Sequence, residues 1–160
     1  MSSGGTAVPG PEGAPSLPGL QIVGQYIKDL SFENPGAPQG FTGNPQMDMG
    51  VDLQARPVAP DHYEVVFHMR IKATGEDRTL FILELAYASL VRLTNMPEEA
   101  VQRVLMIQAP HLMFPFARRI ISDVVRDGGM PPLVIEPIDF VSLYQNKMAQ
   151  AAAQQPAGSA

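Results

Sequence analysis

Four successive stretches of the chain read as strands, and the first three alternate apolar and polar residues with a period of two, the pattern of one buried and one wet face. In the first, Tyr26, Lys28, Leu30 and Phe32 fall on one side, and Ile27, Asp29, Ser31 and Glu33 on the other. It begins near Leu20 and stops at the turn residues Asn34-Pro35-Gly36. In QMDMGVDLQA, Met47, Met49, Val51 and Leu53 alternate with Gln46, Asp48, Gly50 and Asp52. In HYEVVFHMRIKA, Tyr63, Val65, Phe67, Met69 and Ile71 face away from Glu64, His68, Arg70 and Lys72. The fourth, RTLFILELAYASLVRL, is apolar on both faces. Phe81, Leu83, Leu85 and Tyr87 share one; Leu80, Ile82, Ala86, Ala88 and Leu90 share the other, interrupted by Glu84. The later links, RPVAPD and TGED, are short and turn-like, so the pattern predicts a four-stranded antiparallel meander.

After Asn95 the period changes. Pro97 followed by Glu98 and Glu99 predicts a helix start, with acids at the positive end of the dipole. Val101, Val104 and Leu105 form a first apolar stripe, and Pro110 is expected to break or kink the segment. A second stripe, Met113, Phe116, Ile120 and Val124 with Leu112, Ala117, Ile121 and Val125 beside it, ends at Gly128-Gly129. MPPLVIEPID reads as an extended crossover. Asp139 then caps a short helix lined by Phe140, Leu143, Tyr144 and Met148. Strands followed by helices predict an α+β fold: a four-stranded antiparallel sheet with a long helix and a shorter C-terminal helix on one face. Residues 20–150 form the domain; the Gly/Pro-rich residues 1–19 and the tail 151–160 are expected to be disordered. Two helices cover one sheet face at most, so the doubly apolar fourth strand predicts oligomerisation or an apolar partner.

Charge and composition narrow the chemistry. The net charge of −5 and the lack of a basic stripe argue against nucleic-acid binding. The absence of cysteine excludes disulfides, thiol nucleophiles and cysteine-ligated zinc. No run is apolar enough for a signal peptide or a bilayer span, so a cytoplasmic protein is expected. Phosphate loops, zinc-protease helices and nucleophile elbows are missing. His62, His68 and His111 lack helical ligand spacing and read as solvated or structural; Asp48 and Asp52 read as a solvated strand face. Met69 and Phe116 read as core residues, whereas Phe41, Met130, Phe140 and Tyr144 flank loops and a short helix at the molecule's edge, where core filling and a flexible apolar binding surface both fit.

The strings YIKDLSFENPGAP, VDL, YEVV, FILEL and FPFAR, followed by a PP crossover and PIDFVSLY, resemble in order the SecB protein-export chaperone family over about residues 20–148. The resemblance implies a homotetramer, a dimer of dimers with the long helices between paired sheets. It implies ATP-independent holding of unfolded preproteins in the cytoplasm and their delivery to the SecA motor ATPase, without covalent chemistry or a cofactor. The flat outer sheet of the family docks the motor, which places Asp29, Glu33, Ile82 and Glu84 in that role. The family's acidic sheet also attracts the motor's basic, zinc-bearing tail; that zinc belongs to the partner. Client grooves run between sheet, crossover and C-terminal helix, where Phe41, Met130, Leu133, Phe140, Leu143 and Tyr144 stand. The chain departs from the family twice: FTGNPQ has no loop tryptophan, and the C-terminal tail is not acidic. The alternative reading is a chaperone of the same fold dedicated to another client, such as a toxin–antitoxin pair.

Overall fold

The computed structural model describes residues 17–155. Of the tails expected to be disordered, residues 1–16 and 156–160 lie outside the described residues. Gly19 opens the first strand and residues 151–154 continue the last helix, so the folded unit passes the expected boundaries at both ends.

Four strands form one antiparallel sheet: β1 (Gly19–Glu33), β2 (Gln46–Ala59), β3 (His62–Gly75) and β4 (Arg78–Thr94). Their order is β1-β4-β3-β2, which corrects the predicted meander. The hairpins β2–β3–β4 are as expected, but β1 lies beside β4, the Greek-key arrangement. The link at residues 34–45 is long enough to cross the sheet end, and Gly36 N–H donates to the Leu80 carbonyl at 3.1 Å on the way. Pairing with β1 also covers the edge of the most apolar strand.

β1 carries two bulges, at Val23 and Lys28, where the register to β4 skips a residue. A bulge inverts the facing of everything beyond it. Ile27 pairs with Tyr87, and Leu30 and Phe32 with Leu85 and Leu83, so these point toward the helices. Tyr26, paired with Ala88, shares the outer face with Asp29, Ser31 and Glu33. Unbroken alternation from Tyr26 to Phe32 is therefore corrected: Tyr26 and Ile27 exchange faces relative to the residues after Lys28.

The core lies between the inner sheet face and the helices. Leu53, Val65, Phe67, Ile71, Phe81, Leu83, Leu105, Met113, Ile121, Val125 and Phe140 are buried there, as is Met69. The helical run starts as α1 (Glu98–Arg103), passes through a π turn (Val104–Gln108) and continues as α2 (Ala109–Asp127). Of the break or kink expected at Pro110, the break does not occur: the helix runs on through the π turn. In the π turn the Ala109 N–H donates to the Val104 carbonyl, five residues back. The wider turn precedes a residue that has no N–H and whose ring would clash with the preceding turn. The added residue also rotates the buried stripe. Ala109, Met113, Ala117, Ile121 and Val125 face the sheet, while Leu112 and Phe116 stay 50% and 45% exposed, so Phe116 is not a core residue of the protomer. After an extended crossover, α3 (Phe140–Gln154) begins at Asp139, whose carboxylate accepts from Ser142 N–H at 3.1 Å and from its hydroxyl at 2.8 Å. Those bonds, the backbone one foremost, hold the Asp139 carboxyl below the usual carboxylate range.

Candidate functional site: an apolar groove and an acidic sheet face

A groove of about 670 Å³ opens where residues 39–45, the β3–β4 hairpin, the end of α2 and the start of the crossover converge. Its apolar wall includes Phe41, Met47, Phe81, Val125, Met130 and Leu133; Glu76 and Arg78 stand at its polar end. The loop is tied to the hairpin by Arg78, whose guanidinium donates to the Gly40 carbonyl. Three of the six expected client residues, Phe41, Met130 and Leu133, therefore meet in one cavity. Leu143 and Tyr144 line a separate depression of about 250 Å³ beside Val51, Leu53 and Met106. There Lys147 spans from α3 to β2, pairing with Asp52 at 3.0 Å and donating to the Leu53 carbonyl.

Phe140 belongs to neither. It is 1% exposed and packs edge-on against Phe67 (6.0 Å between centroids), Phe114 (6.1 Å) and His111 (5.0 Å). The cap at Asp139 aims the first residue of α3 into the sheet, so Phe140 is a core anchor and is withdrawn from the groove. His111, read as solvated or structural, is exposed and also stacks edge-to-face with that ring.

The outer sheet face forms a regular grid. Glu33, Ile82, Lys72 and Asp48 make one cross-strand row; Ser31, Glu84, Arg70 and Gly50 the next; Asp29, Ala86, His68 and Asp52 the third. Asp29, Glu33, Ile82 and Glu84 thus stand together on one side, with the three carboxylates exposed. Sequence reasoning missed that Glu84 is already paired: Arg70 Nε lies 2.8 Å from its Oε1.

It also missed Glu64, whose side chain is buried on this face. Lys28 Nζ and Arg56 Nε lie 3.0 and 3.1 Å from its Oε1, and the Tyr26 hydroxyl donates to Oε2. The Tyr26 hydrogen bond, supported by Lys28 and Arg56, outweighs burial and lowers the Glu64 carboxyl to about 2. Burial first, then the carboxylate, push the Tyr26 hydroxyl up to about 12. Ala88 lies between Tyr26 and Val66 in the sheet, and its small side chain leaves the Tyr26 ring room to lean toward Glu64. Lys28, as the bulged residue, has no strand partner to fix its direction. Among the described residues no helix is long and apolar enough to cross a membrane.

Residues 14–151 match the family described as preprotein translocase subunit SecB. The protein-export protein SecB of Paramagnetospirillum magneticum is 51% identical over 143 residues, covering 87% of this chain and 92% of that relative. That of Hyphomonas neptunium is 48% identical over 153 residues, covering 94% and 91%. Among solved structures, the fold is similar to a SecB-like chaperone of Mycobacterium tuberculosis bound to an antitoxin peptide. There the TM-score is 0.64 at 13% identity, over 75% of this chain and 91% of that one.

Proposed function

The chain belongs to the SecB family, and from that premise we propose that it is a protein-export chaperone holding unfolded preproteins in the cytoplasm, without ATP, for delivery to the SecA motor. The observation that carries the reading is the groove lined by Phe41, Met130 and Leu133. An extended apolar segment fits such a wall. The shallower depression at Leu143 and Tyr144 offers a second contact, so one long client gains avidity from several weak sites. A chaperone of the same fold dedicated to another client, such as a toxin–antitoxin pair, is not favoured, because relatives matching about nine-tenths of the chain are protein-export proteins.

Two further surfaces support the assembly and the delivery step. Ile27 and Leu30 on the helix side of β1 are 47% and 38% exposed, and Leu112 and Phe116 on α2 are comparably open. A second copy covering these residues removes apolar surface that one subunit leaves wet, as a homotetramer built as a dimer of dimers requires. On the outer face, Asp29, Glu33 and Glu84 around Ile82 supply charge for steering and an apolar contact for residence, suited to a cationic segment of the motor. Multi-angle light scattering of the pure protein, alone and with a denatured precursor, tests assembly and holding together. The expected masses are a tetramer and a tetramer–precursor complex. A monomer at micromolar concentration, or no complex with the unfolded chain, contradicts the proposal.

A further inference from the structure

The ring of Phe41 is held between two glycines. A Cβ placed on Gly43 would lie 3.7 Å from ring atoms Cε1 and Cζ, an ordinary contact. A Cβ on Gly75 would fall 2.5 Å from Cε2, 2.7 Å from Cζ and 2.9 Å from Cδ2, so the two cannot coexist in this arrangement. Phe41 rests on the bare backbone of the β3–β4 hairpin, and any side chain at Gly75 must move it. Gly43 requires glycine for its backbone, with φ at 113°. Gly75 does not: it closes β3 without entering the left-handed region, and alanine suits that backbone at least as well.

We propose that Gly75 is a positioning residue for client binding: its lack of a side chain seats Phe41 against the hairpin and so sets the shape of the groove. The proposal rests on the groove reading above. Phe41 is the groove's aromatic wall on the loop side, in a loop that lacks tryptophan, and Arg78 fixes the loop backbone at Gly40. With the backbone held, a Cβ at Gly75 is relieved by rotation of the Phe41 ring, the far end of a flexible side chain. The ring then swings away from the hairpin, and its contact face is lost to a client while the sheet is untouched.

A double-mutant cycle on the full chain tests this, with reduced, carboxymethylated α-lactalbumin as a client that cannot refold. Gly75→Ala is expected to weaken binding on the order of fivefold, the scale of losing one good apolar contact. Phe41→Ala should do the same, and the double variant should be no weaker than Phe41→Ala alone. Thermal midpoint and light-scattering mass should match wild type in Gly75→Ala, and the ring resonances of ¹³C-labelled Phe41 should shift. Wild-type affinity in Gly75→Ala beside a weakened Phe41→Ala overturns the positioning role and leaves the groove standing; so does a further loss in the double variant. Wild-type affinity in Phe41→Ala overturns the groove assignment and the positioning role with it.

Discussion

Replacing Glu64 by glutamine should cost stability in a pH-dependent way. Glu64 is 6% exposed, and its carboxylate receives Tyr26, Lys28 and Arg56. Those donors lower its carboxyl from 4.5 to about 2, which corresponds to about 3 kcal/mol of preference for the charged form in the folded state. Lys28 and Arg56 are themselves 40% and 65% exposed, so water screens part of this. The net contribution is closer to about 2 kcal/mol. The group is more acidic folded than unfolded. Its stabilisation is complete above the unfolded value near 4.5 and is lost as pH falls toward 2. Glutamine keeps the shape and gives up the charge. Urea unfolding of wild type and Glu64→Gln at one fixed protein concentration, in steps from pH 7 to pH 2, reads the difference directly. The gap should be about 2 kcal/mol at pH 7, constant down to about pH 5, and nearly closed by pH 2. A gap that stays constant through the acid range would mean that glutamine perturbs packing rather than charge. No gap at pH 7 would refute the cluster's role in stability.

Phe140→Ala should destabilise the fold by about 3–5 kcal/mol, as removal of a buried aromatic does, read by denaturant midpoint. Tyr144→Ala, at a partly exposed position, should leave the midpoint near wild type and weaken client binding severalfold. Arg70→Gln frees Glu84 from its ion pair and should tighten motor binding about threefold at low salt, with the gain fading as salt rises. Weaker binding in that variant would make Arg70 a contact of the motor rather than a competitor. Asp29→Lys or Glu33→Lys should weaken motor binding while the tetramer and precursor holding survive; unchanged motor binding in both would remove the docking role.

What could be read from the sequence was whatever repeats with a fixed period. The inner rows of β2, β3 and β4, from Met47 through Ile71 to Leu85, follow period two without interruption, and the helix cap at Asp139 is a local hydrogen-bonding pattern. Single-residue insertions defeat such reasoning. Lys28 shifts the register of β1, so Tyr26 joins Asp29 on the outer face. Asp29 and Glu33 lie on the same side of that bulge, which is why their shared face was legible. Leu80 is another: counted straight from the Gly75–Arg78 pair, Arg70 would face Leu83, but the register shift places it opposite Glu84. The π turn before Pro110 acts likewise on the helix, sending Phe116 outward. Phe140 lies in the core rather than the groove for a different reason. The crossover delivers it onto Phe67, a contact between residues far apart in sequence that no local pattern encodes.

A chaperone of the proposed kind keeps unfolded chains from folding without consuming nucleotide. The most direct measurement follows the refolding of a slow-folding precursor, diluted from denaturant, as the chaperone is raised toward and past equimolar tetramer with no ATP present. The refolded amplitude should fall with chaperone concentration until folding is arrested, and precursor that has already folded should neither bind nor change. Refolding at its unassisted rate and amplitude in excess chaperone would contradict the account.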